Sequence, residues 1–294
     1  MKSGYVAVIG RANAGKSTLV NALVGEKVAI VSPKPQTTRD RILGILTRDD
    51  FQIVFADTPG LYKQRNELTR RMMHATEETV KDVDAILFVE DAHEGISNED
   101  IGLIQKYSAL GLPMLVALTK TDIMPEKNLP EVAARLFEAG IANEAVAVSA
   151  RKRKNLGVLI EEILKLLPEG EKLYAEDILS DKSEKFMIAE IMREKILLGY
   201  EKEIPHGAAV VVNEFVKKEN GVYSVNLDIV CEKKNHKAIL IGKGGAALKE
   251  TAVHARREME RFLGAKVFLT VYVKVREDWR NSDNLIGELG YGDL

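Results

Sequence analysis

Hydrophobic positions in the first 170 residues alternate between short continuous runs and longer amphipathic stretches. The continuous runs are Tyr5–Ile9, Ile53–Ala56, Ala85–Val89, Pro113–Leu118 and Ala145–Val148. Runs of this kind are typical of strands buried on both faces. The stretches with helical spacing are Thr18–Val24, Leu68–Val80, Glu99–Leu110, Pro130–Ala139 and Leu156–Leu167. The alternation predicts an α/β domain with a mostly parallel sheet covered by helices. Ile42–Arg48, followed closely by Phe51–Ala56, predicts one antiparallel pair at its edge.

Beyond Leu167 the pattern becomes that of a second, smaller unit. Residues 168–181 are charged and include Pro168 and Gly170, which predicts a linker over 171–181. The elements expected after it are helix Glu184–Leu198, strands Ala208–Lys217 and Val222–Cys231, helices Asn235–Leu240 and Ala246–Leu263, and strand Lys266–Val275. The sequence therefore predicts an α/β domain over 1–170 and an α+β domain over 182–294.

Composition excludes several classes of protein. The chain is 46% hydrophobic and 29% charged, as in ordinary globular proteins, which argues against a disordered or fibrous chain. No apolar run reaches the ~18–20 residues that span a bilayer, and the one cysteine fits a reducing compartment. The net charge of −2 conceals a basic block, because residues 231–280 carry 12 Lys+Arg against 6 Asp+Glu. Such a block suits a phosphate-binding face.

The segment Gly10–Ser17 fits the phosphate-loop pattern G-x-x-x-x-G-K-[ST], directly after a buried-strand run and before a helix. Backbone N–H groups of such a loop surround phosphate oxygens, and the helix N-terminus adds its positive dipole. Lys16 can bridge the β- and γ-phosphates, and Ser17 can ligate Mg²⁺. The candidate nucleotide contacts here are Gly10, Asn13, Ala14, Gly15, Lys16, Ser17 and Thr18.

Two further segments are candidates for Mg²⁺ and the γ-phosphate. Asp57-Thr58-Pro59-Gly60 follows a strand run, so Asp57 can hold Mg²⁺ through water and the Gly60 N–H can reach the γ-phosphate. In the polar loop 35–41, a threonine hydroxyl can complete the Mg²⁺ shell, with Thr38 preferred and Thr37 as the alternative. We expect Lys16, Thr38 and Gly60 to serve hydrolysis, and the loop 35–41 and residues 57–66 to be two switches.

The nucleobase is predicted from two more strand ends. Thr119-Lys120-Thr121-Asp122 resembles the guanine-reading [NT]-K-x-D motif, in which a buried carboxylate accepts hydrogen bonds from guanine N1–H and its amino group. Adenine would leave that carboxylate unpaired. Ser149-Ala150-Arg151 resembles the element whose backbone N–H contacts the guanine carbonyl. GTP or GDP is therefore the expected nucleotide.

A second candidate site lies inside the basic block. Ile241-Gly242-Lys243-Gly244-Gly245 joins two predicted helices, and a G-x-x-G loop between helices is the signature of an RNA-binding KH domain. The element order matches the type II arrangement. The alternative interpretation is a glycine cap between two packed helices. Lys249 and Arg256 are further candidates for RNA contact, although a charged helix face is equally often only solvated.

The combined motifs resemble the Era family of GTPases, which joins a P-loop GTPase domain to a type II KH domain. The run Gln36-Thr37-Thr38-Arg39-Asp40-Arg41 is similar to that family, and the first half resembles translation-factor GTPases in general. The resemblance implies binding near the 3′ end of 16S ribosomal RNA and a role in assembling the 30S subunit. It also implies a cytoplasmic protein loosely associated with the inner membrane, and a monomer is expected. The rival hypothesis is a regulatory GTPase acting on a protein or membrane partner.

The chain departs from the family pattern at a few positions. Ala12 and Ala14 stand where the usual loop has Pro and Val, and Thr119 replaces the more usual Asn. Leu61 occupies the place of the water-orienting Gln of Ras-like proteins, so slow intrinsic turnover is expected. In relatives a phosphate-loop Asn helps hold K⁺. For Asn13 that role and simple tolerance of a left-handed turn both stay open.

Overall fold

The computed structural model describes residues 1–61, 64–125, 128–138, 140 and 145–291. By their contacts these residues form two units. The first comprises Met1–Ala29, Thr38–Lys63 and Met73–Asp181, and the second comprises Ile30–Thr37, Gln64–Met72 and Lys182–Leu294. Tyr62 and Lys63, which belong to the second predicted switch, lie outside the described residues, as do Ala139 of the fourth predicted helix and residues 292–294.

Among the described residues, six strands form the sheet of the first unit. They are β1 Lys2–Ile9, β2 Ile42–Thr47, β3 Phe51–Asp57, β4 Ala85–Asp91, β5 Met114–Thr119 and β6 Ala145–Ala147. The order is β2-β3-β1-β4-β5-β6, with only β2 antiparallel. The predicted edge pair is confirmed, and β1 and β3 through β6 end at the same edge of the sheet.

Helices cover both faces of this sheet. They are α1 Lys16–Val24, α2 Glu67–Lys81, α3 Asn98–Ser108, α4 Leu129–Glu138 and α5 Leu156–Leu166. One apolar core lies on the α1 and α5 side, and a second packs around Ile86, Phe88 and Ile104 on the other side. A capping box at Ser97 and Asp100 fixes the start of α3. The mostly parallel, doubly covered sheet is confirmed.

The segment predicted as a linker packs against the first unit. The Gln52 side chain accepts hydrogen bonds from the backbone N–H groups of Leu173 and Tyr174, at 2.7 and 2.9 Å. Asp181 accepts from the Leu43 N–H at 2.8 Å, and Ile45 donates to the Leu179 carbonyl at 2.9 Å. Residues 171–181 are therefore held along β2 and β3. The charged composition of this segment, with Pro168 and Gly170 before it, does not predict these hydrogen bonds.

The second unit has the predicted helix and strand order. Its elements are α6 Glu184–Gly199, a short helix α7 Glu203–His206, β7 Ala209–Lys217, β8 Tyr223–Cys231, α8 Lys234–Ile241, α9 Ala246–Leu263 and β9 Val267–Val275, followed by a short helix α10 Asp283–Ile286. The sheet order is β7-β8-β9, with β7 antiparallel and β9 parallel to β8. The apolar core lies between this sheet and α6, α8 and α9. The sequence analysis missed α7 and α10, which have only four residues each.

Two short segments belong to the second unit, although the sequence analysis places them in the first domain. Arg193 of α6 is 1% exposed, pairs with Glu190, and donates to the backbone carbonyls of Gln36 and Thr37. Glu194 accepts from the Val31 N–H at 3.0 Å. A buried guanidinium needs such acceptors to offset its desolvation. The domain limits predicted from composition therefore differ from the contact units at 30–37 and 64–72.

None of the helices in the described part of the chain is long and apolar enough to cross a membrane.

Candidate functional site

The phosphate loop connects the end of β1 to the start of α1. Lys16 is buried, and its Nζ donates to the carbonyl oxygens of Gly10 at 2.9 Å and Arg11 at 3.0 Å. Burial lowers the pKa of Lys16 to about 8, while the charges of Asp57 and Glu90 oppose that shift. The ammonium is therefore still mostly protonated at pH 7, held inside the loop where phosphate oxygens would bind.

Gly60 lies against the backbone of the phosphate loop. A Cβ at this position would be 2.7 Å from the Ala12 Cα and 2.9 Å from the Ala12 N, so only glycine fits. The neighbouring Leu61 N–H donates to the Gly10 carbonyl at 3.0 Å. The loop after β3 is thus docked where a γ-phosphate would bind.

Three oxygen-bearing side chains converge beside the loop. Ser17 Oγ donates to Asp57 Oδ2 at 2.6 Å and lies 2.8 Å from Thr38 Oγ1. Asp57 is fully buried, and burial raises its pKa to about 6. Its Oδ1 is buried without a hydrogen-bond partner in the part of the chain that the structure describes. Two hydroxyls and a carboxylate with a spare oxygen fit the hard oxygen ligands that Mg²⁺ prefers.

The structure distinguishes the two candidate threonines. The Thr37 hydroxyl donates to the Lys34 carbonyl at 2.6 Å and lies 2.6 Å from Ser32 Oγ. Only Thr38 therefore directs its hydroxyl toward Ser17. Asn13 has a φ of 67°, which is the left-handed conformation expected of a turn asparagine. Thr18 follows Ser17 in the first turn of α1.

The candidate base-binding residues lie at the ends of β5 and β6. Thr119 Oγ1 lies 2.5 Å from the Ala14 carbonyl oxygen and 3.0 Å from that of Glu90, so the threonine links this strand end to the phosphate loop. Lys120 Nζ pairs with Asp91 at 2.5 Å. Ser149 Oγ donates to Asp122 Oδ1 at 2.7 Å and thereby lowers the pKa of Asp122.

One detail of the base-binding prediction is wrong. Asp122 is exposed, whereas the sequence interpretation assumed a buried carboxylate. The reason is that β5 ends at Thr119 and the chain turns outward before Asp122. Ala150 and Arg151 belong to the turn after Ser149, where the Lys152 N–H donates to Ser149 Oγ at 3.1 Å. The carboxylate is therefore ionised and open to a base from the solvent side.

The glycine-rich loop of the second unit lies between α8, which ends at Ile241, and α9. Gly244 and Gly245 have φ values of 59° and 81°, and a Cβ at either would meet nothing within 4 Å. Gly242 instead packs against α9, because a Cβ there would lie 2.7 Å from the Ala247 Cβ. Lys243 and Lys249 are exposed beside the open backbone of Gly244 and Gly245. Arg256 differs from these lysines because it is paired with Glu260 at 2.8 Å.

The sequence analysis missed Glu90, the penultimate residue of β4. Its side chain is 3% exposed, and its Oε1 has no hydrogen-bond partner among the described residues. Burial, with a smaller contribution from the charge of Asp100, raises the pKa of Glu90 to about 8, against the opposing charges of Arg11 and Lys16. The only sequence signal is an acidic residue ending an otherwise apolar run. At neutral pH this carboxyl is mostly protonated.

We expect Glu90→Gln to stabilise the nucleotide-free protein at high pH. An unfolded Glu ionises near its ordinary pKa, whereas the folded one stays protonated up to about pH 8, so wild-type stability falls as pH rises between those values. The glutamine variant lacks this loss. Between pH 5 and 8.5 its free energy of unfolding should therefore rise by about 2–4 kcal/mol relative to that of wild type. Urea unfolding at both pH values measures it. Glu99→Gln, an exposed carboxylate on α3, is the control, and parallel curves for wild type and Glu90→Gln would contradict the prediction.

Comparison with known proteins gives matches to both units. Residues 5–120 match the family model of the 50S ribosome-binding GTPase, and residues 203–280 match that of the KH domain. The chain is 44% identical to the GTPase Era of Clostridium kluyveri and to that of Alkaliphilus oremlandii, in each case over 99% of both chains. Two solved structures have a TM-score of 0.94 at 39% identity, covering 99% of both chains. One is an Aquifex aeolicus Era variant bound to GDP·AlF4⁻, and the other is Era with MgGDPNP and nucleotides 1506–1542 of 16S ribosomal RNA.

Proposed function

The chain belongs to the Era family of GTPases, and on that basis we propose that it binds 16S ribosomal RNA near its 3′ end and acts in assembly of the 30S subunit. The observation that carries the proposal is the loop Gly242–Gly245 between two helices, open at Gly244 and Gly245, in a chain that is also a GTPase. A relative that matches over 99% of this chain was crystallised with that part of the RNA. We further propose a monomer with loose membrane contact.

For the nucleotide we propose that the residues at the carboxyl edge of the first sheet bind GTP and GDP. Backbone N–H groups of the phosphate loop and the Lys16 ammonium would neutralise the phosphates, and the Gly60 N–H would meet the γ-phosphate. Mg²⁺, when bound, withdraws charge from the phosphate oxygens. Ser17, Thr38 and Asp57 would hold it, since their oxygens already converge. Because Thr38 belongs to the loop before β2, a metal contact through its hydroxyl would tie that loop to the nucleotide, which supports a role as a switch.

The base and the hydrolysis step involve different residues. Asp122, oriented by Ser149, would accept from guanine, with Lys120 and the backbone of residues 149–151 beside it. The Leu61 side chain is partly buried against the core, and an apolar side chain cannot orient water. Slow intrinsic turnover is the expected consequence of Leu61. A K⁺ ion held by Asn13 would be one source of positive charge for the transition state.

The variant Gly244→Asp tests the RNA proposal. Its backbone is left-handed, which Asp tolerates, and its Cβ would enter open space, so the fold should be retained. The added carboxylate would face the RNA phosphates, and we expect affinity for the 1506–1542 fragment to fall about tenfold or more. Fluorescence anisotropy measures this.

Gly264→Asp is the matched control, because Gly264 has a φ of 62° and equally open surroundings at the other end of α9. Unchanged RNA affinity in Gly244→Asp would favour the rival function, a GTPase that regulates a protein or membrane partner. A loss shared equally by both glycine variants would point to added negative charge in general rather than to the loop.

A further inference from the structure

One face of the second sheet is turned away from the helices. Helices α6, α8 and α9 pack on the other face, where alternate residues of β8, namely Val225, Leu227 and Ile229, are buried. The intervening positions define what we call the outer sheet face. On β9, an edge strand, it carries Phe268, Thr270, Tyr272 and Lys274, and on β8 it carries Ser224, Asn226 and Asp228 in register with the first three.

Two aromatic rings on this face are exposed. Phe268 is 63% exposed and Tyr272 is 55% exposed, whereas apolar side chains on the opposite face of β9 contribute to the core. The two residues are four positions apart on one strand, so the rings stand about 13 Å from each other. Consecutive stacked bases are only about 3.4 Å apart, so two such rings would hold two bases that are not stacked on each other.

Polar side chains separate the rings. Ser224, Asn226 and Thr270 lie between or beside them and are half-buried in the sheet surface. The core of a protein–protein interface is a continuous apolar patch. On this face Ser224 lies between Phe268 and the exposed Val216 of β7, and Thr270 lies between Phe268 and Tyr272, so the apolar groups are separated. Isolated rings set among small polar groups are instead the arrangement on which single bases stack, because every base has an aromatic face. The surface chemistry therefore favours single-stranded RNA over a protein.

The charges around the rings also favour RNA. Lys218 Nζ lies 6.0 Å from the centre of the Phe268 ring, and Lys266 directly precedes β9. Neither lysine has an ion-pair partner in the described ranges of the chain. Asp228 is neutralised by Lys274 at 2.7 Å, which leaves Glu214 as an opposing charge on β7. Cations next to exposed rings are what a base and its phosphate require together.

We propose that the outer sheet face binds a single-stranded RNA segment, with Phe268 and Tyr272 each stacking on one base. This second RNA surface rests on the proposed RNA-binding function and adds to the glycine-rich loop. The loop of a KH domain clamps about four nucleotides. A longer RNA would gain its additional affinity from the two rings.

The test compares RNAs of two lengths on the full chain. Wild type and the double variant Phe268→Ser/Tyr272→Ser are titrated with labelled 16S nucleotides 1506–1542 and with an oligonucleotide of about five nucleotides from that fragment. We expect the double variant to bind the long RNA about tenfold or more weakly and the short RNA as wild type does. The ring-conserving changes Phe268→Tyr and Tyr272→Phe should keep wild-type affinity for both.

Val216→Ser is the matched control, since Val216 is 52% exposed on the same face but is not aromatic. Wild-type affinity of the double variant for the long RNA would overturn the proposal and leave the face to a protein partner. An equal loss for both RNAs would also overturn it, because the rings would then support the fold. If wild type binds neither RNA, the proposed function fails. If Gly244→Asp alone loses binding, only this inference fails.

Discussion

Replacing Lys16 with alanine is expected to reduce GTP hydrolysis by about a hundredfold or more. The Lys16 ammonium is held inside the phosphate loop by the Gly10 and Arg11 carbonyls, so its charge is fixed in place before a phosphate arrives. A preorganised cation stabilises the charge that develops on the transferring phosphoryl group, and loss of one such donor costs about 10²–10³ in rate. Phosphate release under saturating GTP and Mg²⁺ measures this.

The same burial predicts that the Lys16→Ala variant stays folded. Burial lowers the pKa of Lys16 to about 8, which means that the folded state carries a desolvated charge that alanine removes. The thermal midpoint of the nucleotide-free protein should therefore not fall. Lys106→Ala is the control, because that lysine is exposed on α3 and pairs with Glu77. Retained hydrolysis in the Lys16 variant would show that another group carries the charge.

Most of the nucleotide site could be predicted because its residues belong to short, continuous motifs at strand ends. Parallel strands end at one edge of a sheet. The buried runs before Gly10, Asp57 and Thr119 were therefore enough to predict that the loops after them lie close together. The Gly244 loop was likewise predictable, because its two flanking helices have clear apolar spacing. In both cases the local sequence pattern determines the secondary structure, and the secondary structure positions the functional residues.

The remaining features depend on long-range contacts that no local pattern encodes. Thr37 and Thr38 are adjacent and identical in type, and only the partners of their hydroxyls separate them. Arg193 reads as an ordinary charged helix residue, yet it is buried against backbone carbonyls more than 150 positions away in the chain. The composition of segment 171–181 predicts a linker. Its hydrogen bonds go to the backbone of β2 and to the Gln52 side chain, and composition does not reveal such contacts.

Replacing Asp122 with asparagine is expected to change the preferred base from guanine to xanthine. In the proposed site the Asp122 carboxylate would accept from guanine N1–H and the exocyclic amino group, and an amide would place a donor against one of them. Losing hydrogen bonds to a charged acceptor costs about 1.5–3 kcal/mol each, so affinity for GDP should fall about a hundredfold or more. Xanthine has a carbonyl where guanine has the amino group, and the asparagine N–H can donate to it.

The exposure of Asp122 makes this experiment informative. Because the carboxylate is exposed and Ser149 donates to it, the substitution should not destabilise the fold. Titration with fluorescent GDP and xanthosine diphosphate therefore reports base recognition alone. Asp91→Asn is the matched control. Asp91 ends the neighbouring strand and pairs with Lys120, so its loss should weaken both nucleotides equally. A parallel loss of both nucleotides in Asp122→Asn would mean that Asp122 only orders the loop, and the base would then be recognised by the backbone of residues 149–151.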